Sequence, residues 1–495
     1  MEGWQIARVI IGEAYAIEPP PSVEIGRPRT AAGAAVNMPH QGTNHMVEGA
    51  VPDASAKDVL GYLDQAFFTS LRALGRQPIM YFLWLYREPL DAAAVDRFNQ
   101  CLAQGFLGRV LQRSPLPWGR HRWVANPVPA AVTWYADPLA PEHLPQWRNA
   151  LVVLPLDPEH GPGWRLAARP LAHGGTALAL LVSHTIADVK ATEEAIVNAV
   201  AGRRLEPGFP LPSRRWSPAR VVADGKESLR GLPAVWGALK ALARQPKAIA
   251  RPASRASTPP QRRGGLTAEP VVVLPLAQVI IDHHACEARA AALGVKGNTL
   301  VAAVAVRLAY RLGRLDGAGR VDLVLPVSER QPDDWRGNAL RTVTVQADPD
   351  ACQRDPRTLL EGIRAALSSR DRHGDDISPI LPLIPYVPLW LLRLFERKAL
   401  GTRLPVTCSV IGELHPDMIR PCGEASLLHI SNIEPYTAPL LERLGGGMLL
   451  ACYRLGGKLF ITVMAHSPGH VTTCAELLPQ VKAALADMAL EGDVS

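Results

Sequence analysis

The stretch Leu178-Ala179-Leu180-Leu181-Val182-Ser183-His184-Thr185-Ile186-Ala187-Asp188-Val189-Lys190 changes character at one residue. Up to Ser183 it is an unbroken apolar run, the signature of a buried strand. From Asp188 onward, VKATEEAIVNAVAG reads as a helix, with Asp188 placed to cap its first turn and Gly202 to end it. His184 is left at the junction, on a loop held by rigid scaffold, where reactive groups often stand. An imidazole titrates near ~6.5 when unperturbed, which suits general-base work. The spacing His-x-x-x-Asp is short, and the same residues also read as a backbone-satisfied histidine beside an aspartate cap.

Working outward, WRLAARPL (164–171) and TALALLVSH (176–184) flank His173-Gly174-Gly175, which predicts a hairpin. Further upstream, YFLWLY (81–86) reads as a strand. PLDAAAVDRFNQCLAQGF reads as a helix, with Leu90 before it and Val95, Phe98, Leu102 and Phe106 on one face. RWV (122–124) and AVTWYA (131–136) read as short strands, and LPQWRNALVVLPL begins helical. Beyond residue 268 a second lobe is expected. VVVLPL (271–276), VDLVLPVS (321–328) and LRTVTVQ (340–346) read as strands, as do SLLHISNI, GMLLACYRL and GKLFITVMA. AQVIIDHHACEARAAALG, TLVAAVAVRLAYRLGRL, DPRTLLEGIRAALSSR and AELLPQVKAALADMA read as helices. The mixture predicts an α/β or α+β fold of two related lobes. The expected division is an N-terminal extension at 1–56, a first lobe at 57–202, a connector at 203–268 and a second lobe at 269–495.

Composition narrows the classes. With 495 residues, 47% hydrophobic and 20% charged, the chain can bury a sizeable core. No apolar run approaches the roughly 18 residues of a spanning helix, which argues against an integral membrane protein. The N-terminus shows no secretory pattern. Seven scattered cysteines without a C-x-x-C pair suit a reducing cytoplasm and argue against a disulfide scaffold or a zinc-cysteine site. Between Arg203 and Arg263 there are 14 Lys or Arg against three acids (Glu206, Asp224, Glu227), a local +11 against a whole-chain +7. That segment would meet a phosphate-bearing ligand, an acidic protein or an anionic membrane surface, or it is a solvated linker. Its few aromatics and the lack of a reader motif argue against nucleic acid. The apolar 379–395 stretch, broken by four prolines, would line a tunnel, dip into a membrane interface or cross the core. Asp282-His283-His284 tempts a metal reading. Adjacent helical histidines diverge by ~100°, however, and no second cluster has zinc spacing, so no metal is expected. There is no G-x-S-x-G elbow and no phosphate-cradling glycine loop.

The order of segments resembles the coenzyme A-dependent acyltransferase superfamily, which includes chloramphenicol acetyltransferase and peptide-synthetase condensation domains. Within it the chain is most similar to the wax ester synthase/diacylglycerol acyltransferase branch. Ser183-His184-Thr185-Ile186-Ala187-Asp188-Val189 stands where that family carries His-His-x-x-x-Asp-Gly. GYLDQAFF (61–68), REPLDAAAVDRF, LPLDPEHGPGW with Trp164, ALGVKGNTLVAAVAVRLAYRL with Asn298, and VLPVSERQPDDWRGNALRTVTV follow in the family's order across roughly residues 60–490. The departures are Ser183 for the first histidine, Val189 for the glycine and Thr299 for an aspartate; TCSVIGEL (407–414) matches a Ser-Asn-x-x-Gly segment only in part.

The resemblance implies two chloramphenicol-acetyltransferase-like lobes in a V, with the active site in a tunnel between them. It implies His184 as the general base, Asp188 holding the loop through an arginine (here Arg330), and Ser328, Asn338, Thr344 and Asn298 as supporting residues. It further implies no bound cofactor, with a coenzyme A thioester as co-substrate, or a carrier-protein thioester in its place. The acceptor would be an alcohol or amine, lipid in that branch. A cytoplasmic monomer is expected, with peripheral contact at the inner membrane face as a further expectation. The departures leave open a non-catalytic binding protein on the same lobes, and a condensation-type enzyme of natural-product biosynthesis.

Overall fold

The computed structural model describes residues 57–75, 77–204, 208–244, 271–371, 381–393 and 404–495. The expected N-terminal extension lies outside them, as do residues 205–207 and 245–268 of the basic connector and both ends of the apolar 379–395 stretch. The helices are α1 (Tyr62–Leu74), α2 (Ala92–Ala103), α3 (Leu144–Leu151), α4 (Val189–Val200), α5 (Pro218–Arg244), α6 (His283–Ala292), α7 (Gly297–Arg311), α8 (Pro349–Arg354), α9 (Arg357–Asp371), α10 (Ala438–Leu444) and α11 (Cys474–Asp487). In the first half the strands are β1 (Ile79–Tyr86), β2 (Arg109–Gln112), β3 (Arg122–Ala125), β4 (Thr133–Trp134), β5 (Trp164–Pro170) and β6 (Thr176–Ser183). In the second half they are β7 (Val271–Val272), β8 (Leu276–Asp282), β9 (Val321–Ser328), β10 (Leu340–Ala347), β11 (Val406–Glu413), β12 (Leu427–Ile433), β13 (Tyr436–Thr437), β14 (Gly447–Leu455), β15 (Lys458–His466) and β16 (Asp493–Val494).

β1 and β6 are buried along their whole lengths, which explains why IMYFLWLY and TALALLVS show no alternation of polar and apolar residues. They sit side by side in a sheet of order β12-β1-β6-β5-β4. One face of β1, through Met80, Phe82 and Trp84, packs with Val95, Phe98 and Ile196 of α2 and α4. The other face, through Ile79, Tyr81, Leu83 and Leu85, packs with α3 and with Leu276 and Met464 of the second lobe. The hairpin turn holds Gly175 at φ +88°, where a Cβ would lie 2.1 Å from the Tyr86 carbonyl oxygen, so only glycine fits.

The second sheet has the order β10-β9-β11-β14-β15-β8-β16. α7, buried almost all round, is the centre of its core. The chain does not part cleanly at the connector. β12, from the second half, crosses over and pairs antiparallel with β1, setting His429 opposite Leu83 and Ser431 opposite Tyr81. Trp84 Nε1 donates to the Met418 carbonyl at 2.7 Å, and Tyr453 Oη donates to the Leu428 carbonyl at 2.9 Å. The lobes are tied through shared sheet and core.

Three expectations are corrected. Ala277–Ile281 is strand, not helix. Its β-branched Val279, Ile280 and Ile281 fit a buried slot between β15 and β16, and the helix begins only at His283, capped by Asp282 through the His284 and Ala285 amides. VVVLPL gives a strand of two residues rather than six, because Pro275 lacks the N–H a ladder needs. AVTWYA likewise contracts to Thr133–Trp134 at a sheet edge. The connector also holds more structure than its composition suggested, since α5 runs for 27 residues. Its Asp224 is buried, accepting from Arg122 Nε at 2.7 Å and from Ser114 Oγ at 2.6 Å.

Candidate active site

The strand β6 ends in a tight turn. Ile186 N donates back to the Ser183 carbonyl at 3.0 Å, and His184 N donates to the Pro78 carbonyl at 3.0 Å. Ser183 is fully buried. Its hydroxyl accepts from Gln77 Nε2 at 2.8 Å and from Thr185 N at 3.3 Å. Ser183 is therefore a fastener for the turn. The His184 ring is half-buried and stacked on Phe67, with centroids 5.0 Å apart and planes at 20°.

The other side of the site comes from the second lobe, from the loop 329–339 between β9 and β10. Asn338 Oδ1 lies 2.8 Å from His184 Nδ1. The orientation of that amide follows from its other contacts. Its Nδ2 donates to Asp64 Oδ1 at 2.9 Å and to the His184 carbonyl at 2.8 Å. The backbone carbonyl cannot donate, and Asp64 Oδ1 already accepts from Asn338 N, so the Oδ1 end faces the imidazole as an acceptor. Nδ1 then carries the ring proton, and Nε2 of the neutral ring keeps its lone pair.

Asp64, from the first turn of α1, is the anchor beneath this pair. It is fully buried and accepts from Gly61 N (3.3 Å), Gly337 N (3.0 Å) and Asn338 N (2.7 Å) in addition to Asn338 Nδ2. Burial pushes its carboxyl above the ordinary range, against the pull of those donors and of Arg109. Gly337 is packed so closely that a Cβ would stand 2.9 Å from Asp64 Oδ1 and 3.0 Å from the Ile186 carbonyl oxygen.

Asp188 has two roles in one side chain. Oδ1 accepts from Ala191 N at 2.8 Å and caps α4. Oδ2 accepts from Arg330 Nη2 at 2.8 Å and from Ala339 N at 2.9 Å, both from the second lobe. The Asp188–Arg330 pair is almost wholly buried. Arg330 also donates to the carbonyls of Asp334, Arg336 and Gly337. Arg109 adds a second clamp. Sandwiched between Phe106 and Trp123, it donates to the Trp335 carbonyl at 2.6 Å and the Ile186 carbonyl at 2.5 Å. Burial lowers its pKa to about 9.

The structure thus brings together His184, Asp188, Arg330 and Asn338. The remaining candidates stand apart. Ser328 is exposed at the end of β9, its hydroxyl near Arg330 N (3.4 Å), and it shares no hydrogen bond with His184. Thr344 is exposed four residues further into β10, opposite Val324. Asn298 is exposed in the first turn of α7, a core helix of the second lobe. Asp282 is a helix cap, and the His283 and His284 rings diverge by 41°. Among the described residues no three His, Cys, Asp or Glu side chains cluster as metal ligands would. Asp64 and Arg109 were not singled out from sequence. Asp64 lies in the quoted GYLDQAFF, but a first-turn acid there reads as helix chemistry, and nothing marks Arg109 in a four-residue strand.

The fold is also found among known structures. The first condensation domain of the CDA synthetase superposes with a TM-score of 0.55 at 13% identity, covering 87% of this chain and 96% of that one. The chain has a condensation-domain fold. The same domain of the calcium-dependent antibiotic synthetase in complex with a substrate analogue gives 0.55 at 14% identity, again over 87% and 96%. The AMPPNP-bound nonribosomal peptide synthetase FmoA3 gives 0.51 at 15% identity, with 90% of this chain matching 44% of that longer one. No protein-family model matches the sequence, and no curated protein matches it.

Proposed function

We propose that the protein is a condensation-type acyltransferase, forming an amide or ester from a thioester donor on coenzyme A or a carrier protein. The observation that carries this reading is the His184 Nδ1–Asn338 Oδ1 contact across the two lobes, which leaves Nε2 as a base. His184 Nε2 takes the proton from an acceptor amine or hydroxyl as that atom attacks the thioester carbonyl carbon. The tetrahedral intermediate collapses with rupture of the C–S bond, and the imidazolium returns the proton to the departing thiolate. No acyl-enzyme forms. Asp188 and Arg330 act as positioning residues, holding the turn and the facing loop in register. The condensation-domain fold of the similar structures supports this reading.

A second reading, the wax ester synthase-like acylation of a long-chain alcohol or diacylglycerol, is favoured by one observation. Two segments that carry the resemblance to that branch, GYLDQAFF with Asp64 and the Gly337-Asn338 pair, meet directly beneath His184. Thiol release from acyl-coenzyme A and acyl-pantetheine donors, with amine and long-chain alcohol acceptors, separates the readings. Release with an amine acceptor supports the condensation reading, and release confined to acyl-coenzyme A with the alcohol supports the second. His184→Ala is expected to lower release ~10²–10⁴-fold. Ligand binding without release by any pair would leave a binding protein.

A further inference from the structure

Among the described residues, exposed large apolar side chains concentrate in one region. Of the fifteen most exposed among the described residues, eight lie between Leu211 and Leu239, and Trp118, Tyr386 and Trp390 adjoin them. On α5, Val222, Leu229 and Trp236 recur seven residues apart, with Leu232 and Leu239 beside them. They form one stripe turned away from the core. Leu229 is 67% exposed and Trp236 61%. The 3-10 turn Leu381–Tyr386 packs on α1 and α5 and continues the apolar surface. Arg393 Nε fastens that segment to the α1 end through the Ala73 carbonyl at 2.7 Å. A groove of about 410 Å³ opens there between Pro117, Trp118, Pro385, Tyr386, Val387 and Pro388.

Charge on α5 is sorted by face. Its two acids turn inward, Asp224 to Arg122 and Ser114, and Glu227 to Arg120. Lys226, Arg230 and Lys240 are exposed beside the apolar stripe, and Arg214 and Trp216 are exposed just before the helix. We propose that α5, together with residues 381–393, lies on an anionic lipid bilayer. An apolar stripe with tryptophan, flanked by cations, is what an interfacial helix presents to lipid and anionic headgroups. A partner helix is a poorer fit, because Gly225 leaves a gap in the stripe and Pro233 interrupts the regular surface that two helices need. No single helix among the described residues is long and apolar enough to span a bilayer, so the contact is peripheral. This surface is independent of the acyl-transfer reading.

The test is flotation of the full chain with vesicles of phosphatidylcholine containing phosphatidylglycerol, against vesicles of phosphatidylcholine alone. The wild-type chain is expected to float with the anionic vesicles and to be released by salt. Leu229→Ser/Leu232→Ser/Trp236→Ser removes only exposed side chains and is expected to reduce bound protein roughly tenfold or more, with unchanged thermal unfolding. Lys226→Glu/Lys240→Glu is expected to weaken binding to the anionic vesicles alone. No flotation of the wild-type chain, or flotation unchanged by the triple substitution, overturns the proposal. Self-association in light scattering that the triple variant abolishes, without vesicle binding, also overturns it and makes the stripe an interface between copies.

Discussion

At the scale of single residues, base catalysis rests on which nitrogen of His184 is protonated. The amide of Asn338 cannot flip without turning its Nδ2 away from two acceptors, the Asp64 carboxylate and the His184 carbonyl. Asn338→Ala removes the acceptor from Nδ1 and frees the ring to rotate or change tautomer. A misplaced general base commonly costs ~10²-fold. The expected result is a loss of that order in kcat with KM little changed and a shifted pH–rate profile. A purely structural role would lower the folded fraction and leave the profile in place. Local pattern in the sequence pointed to His184 and Asp188, through a strand end and a helix cap, and the family resemblance added Arg330 and Asn338. It did not point to Asp64 or Arg109, which act across hundreds of positions of chain on backbone groups that no pattern identifies.

At the scale of elements, most helices and long strands were legible because burial follows a period. α2 shows one apolar face, and β1 and β6 show none because both faces are covered. AQVIID was misread because a short apolar run preceding a real helix continues its pattern backward, and only the cap at Asp282 marks the boundary. α5 was underestimated because its outward stripe is apolar and its acids point inward, the reverse of a surface helix. Docking of that helix depends on Asp224, whose two oxygens are used by Ser114 and Arg122. Asp224→Ala removes one of the two carboxylates that face the buried Arg122 guanidinium, the other being Asp58. Losing one partner of a buried pair typically costs ~3–5 kcal/mol. Limited proteolysis should therefore cut within 218–244 faster in the variant than in the wild type, and equal cleavage rates would refute the anchoring role.

At the scale of the whole molecule, the lobes share sheet and core, and the packing shields two imidazoles, half-buried His121 and buried His429. His121 sits against Phe68 and His429 lies in β12 at the junction. Burial, joined by nearby arginines, lowers both pKa values from the ordinary 6.5 to about 3. A histidine kept neutral by the fold binds its proton more readily in the unfolded chain, so its contribution to stability is complete above ~6.5 and is lost as pH falls toward 3. Denaturant midpoints are expected to drop steadily across that window, and His429→Gln should flatten the fall even if it lowers the plateau. A pH-independent midpoint between those values would contradict the buried neutral state. The same interlocking explains why the lobe boundary was only partly legible. Nothing in Leu427–Ile433 announces that its hydrogen-bonding partner is β1, more than three hundred residues earlier.

Nitrogen NMR of the isotope-labelled His184 imidazole, recorded on the folded chain near neutral pH, reaches the central claim most directly. The account predicts that the neutral form of the ring carries its proton on Nδ1 and leaves Nε2 bare, and that this signature is lost in Asn338→Ala. A ring protonated at Nε2, or one indifferent to Asn338, would contradict it.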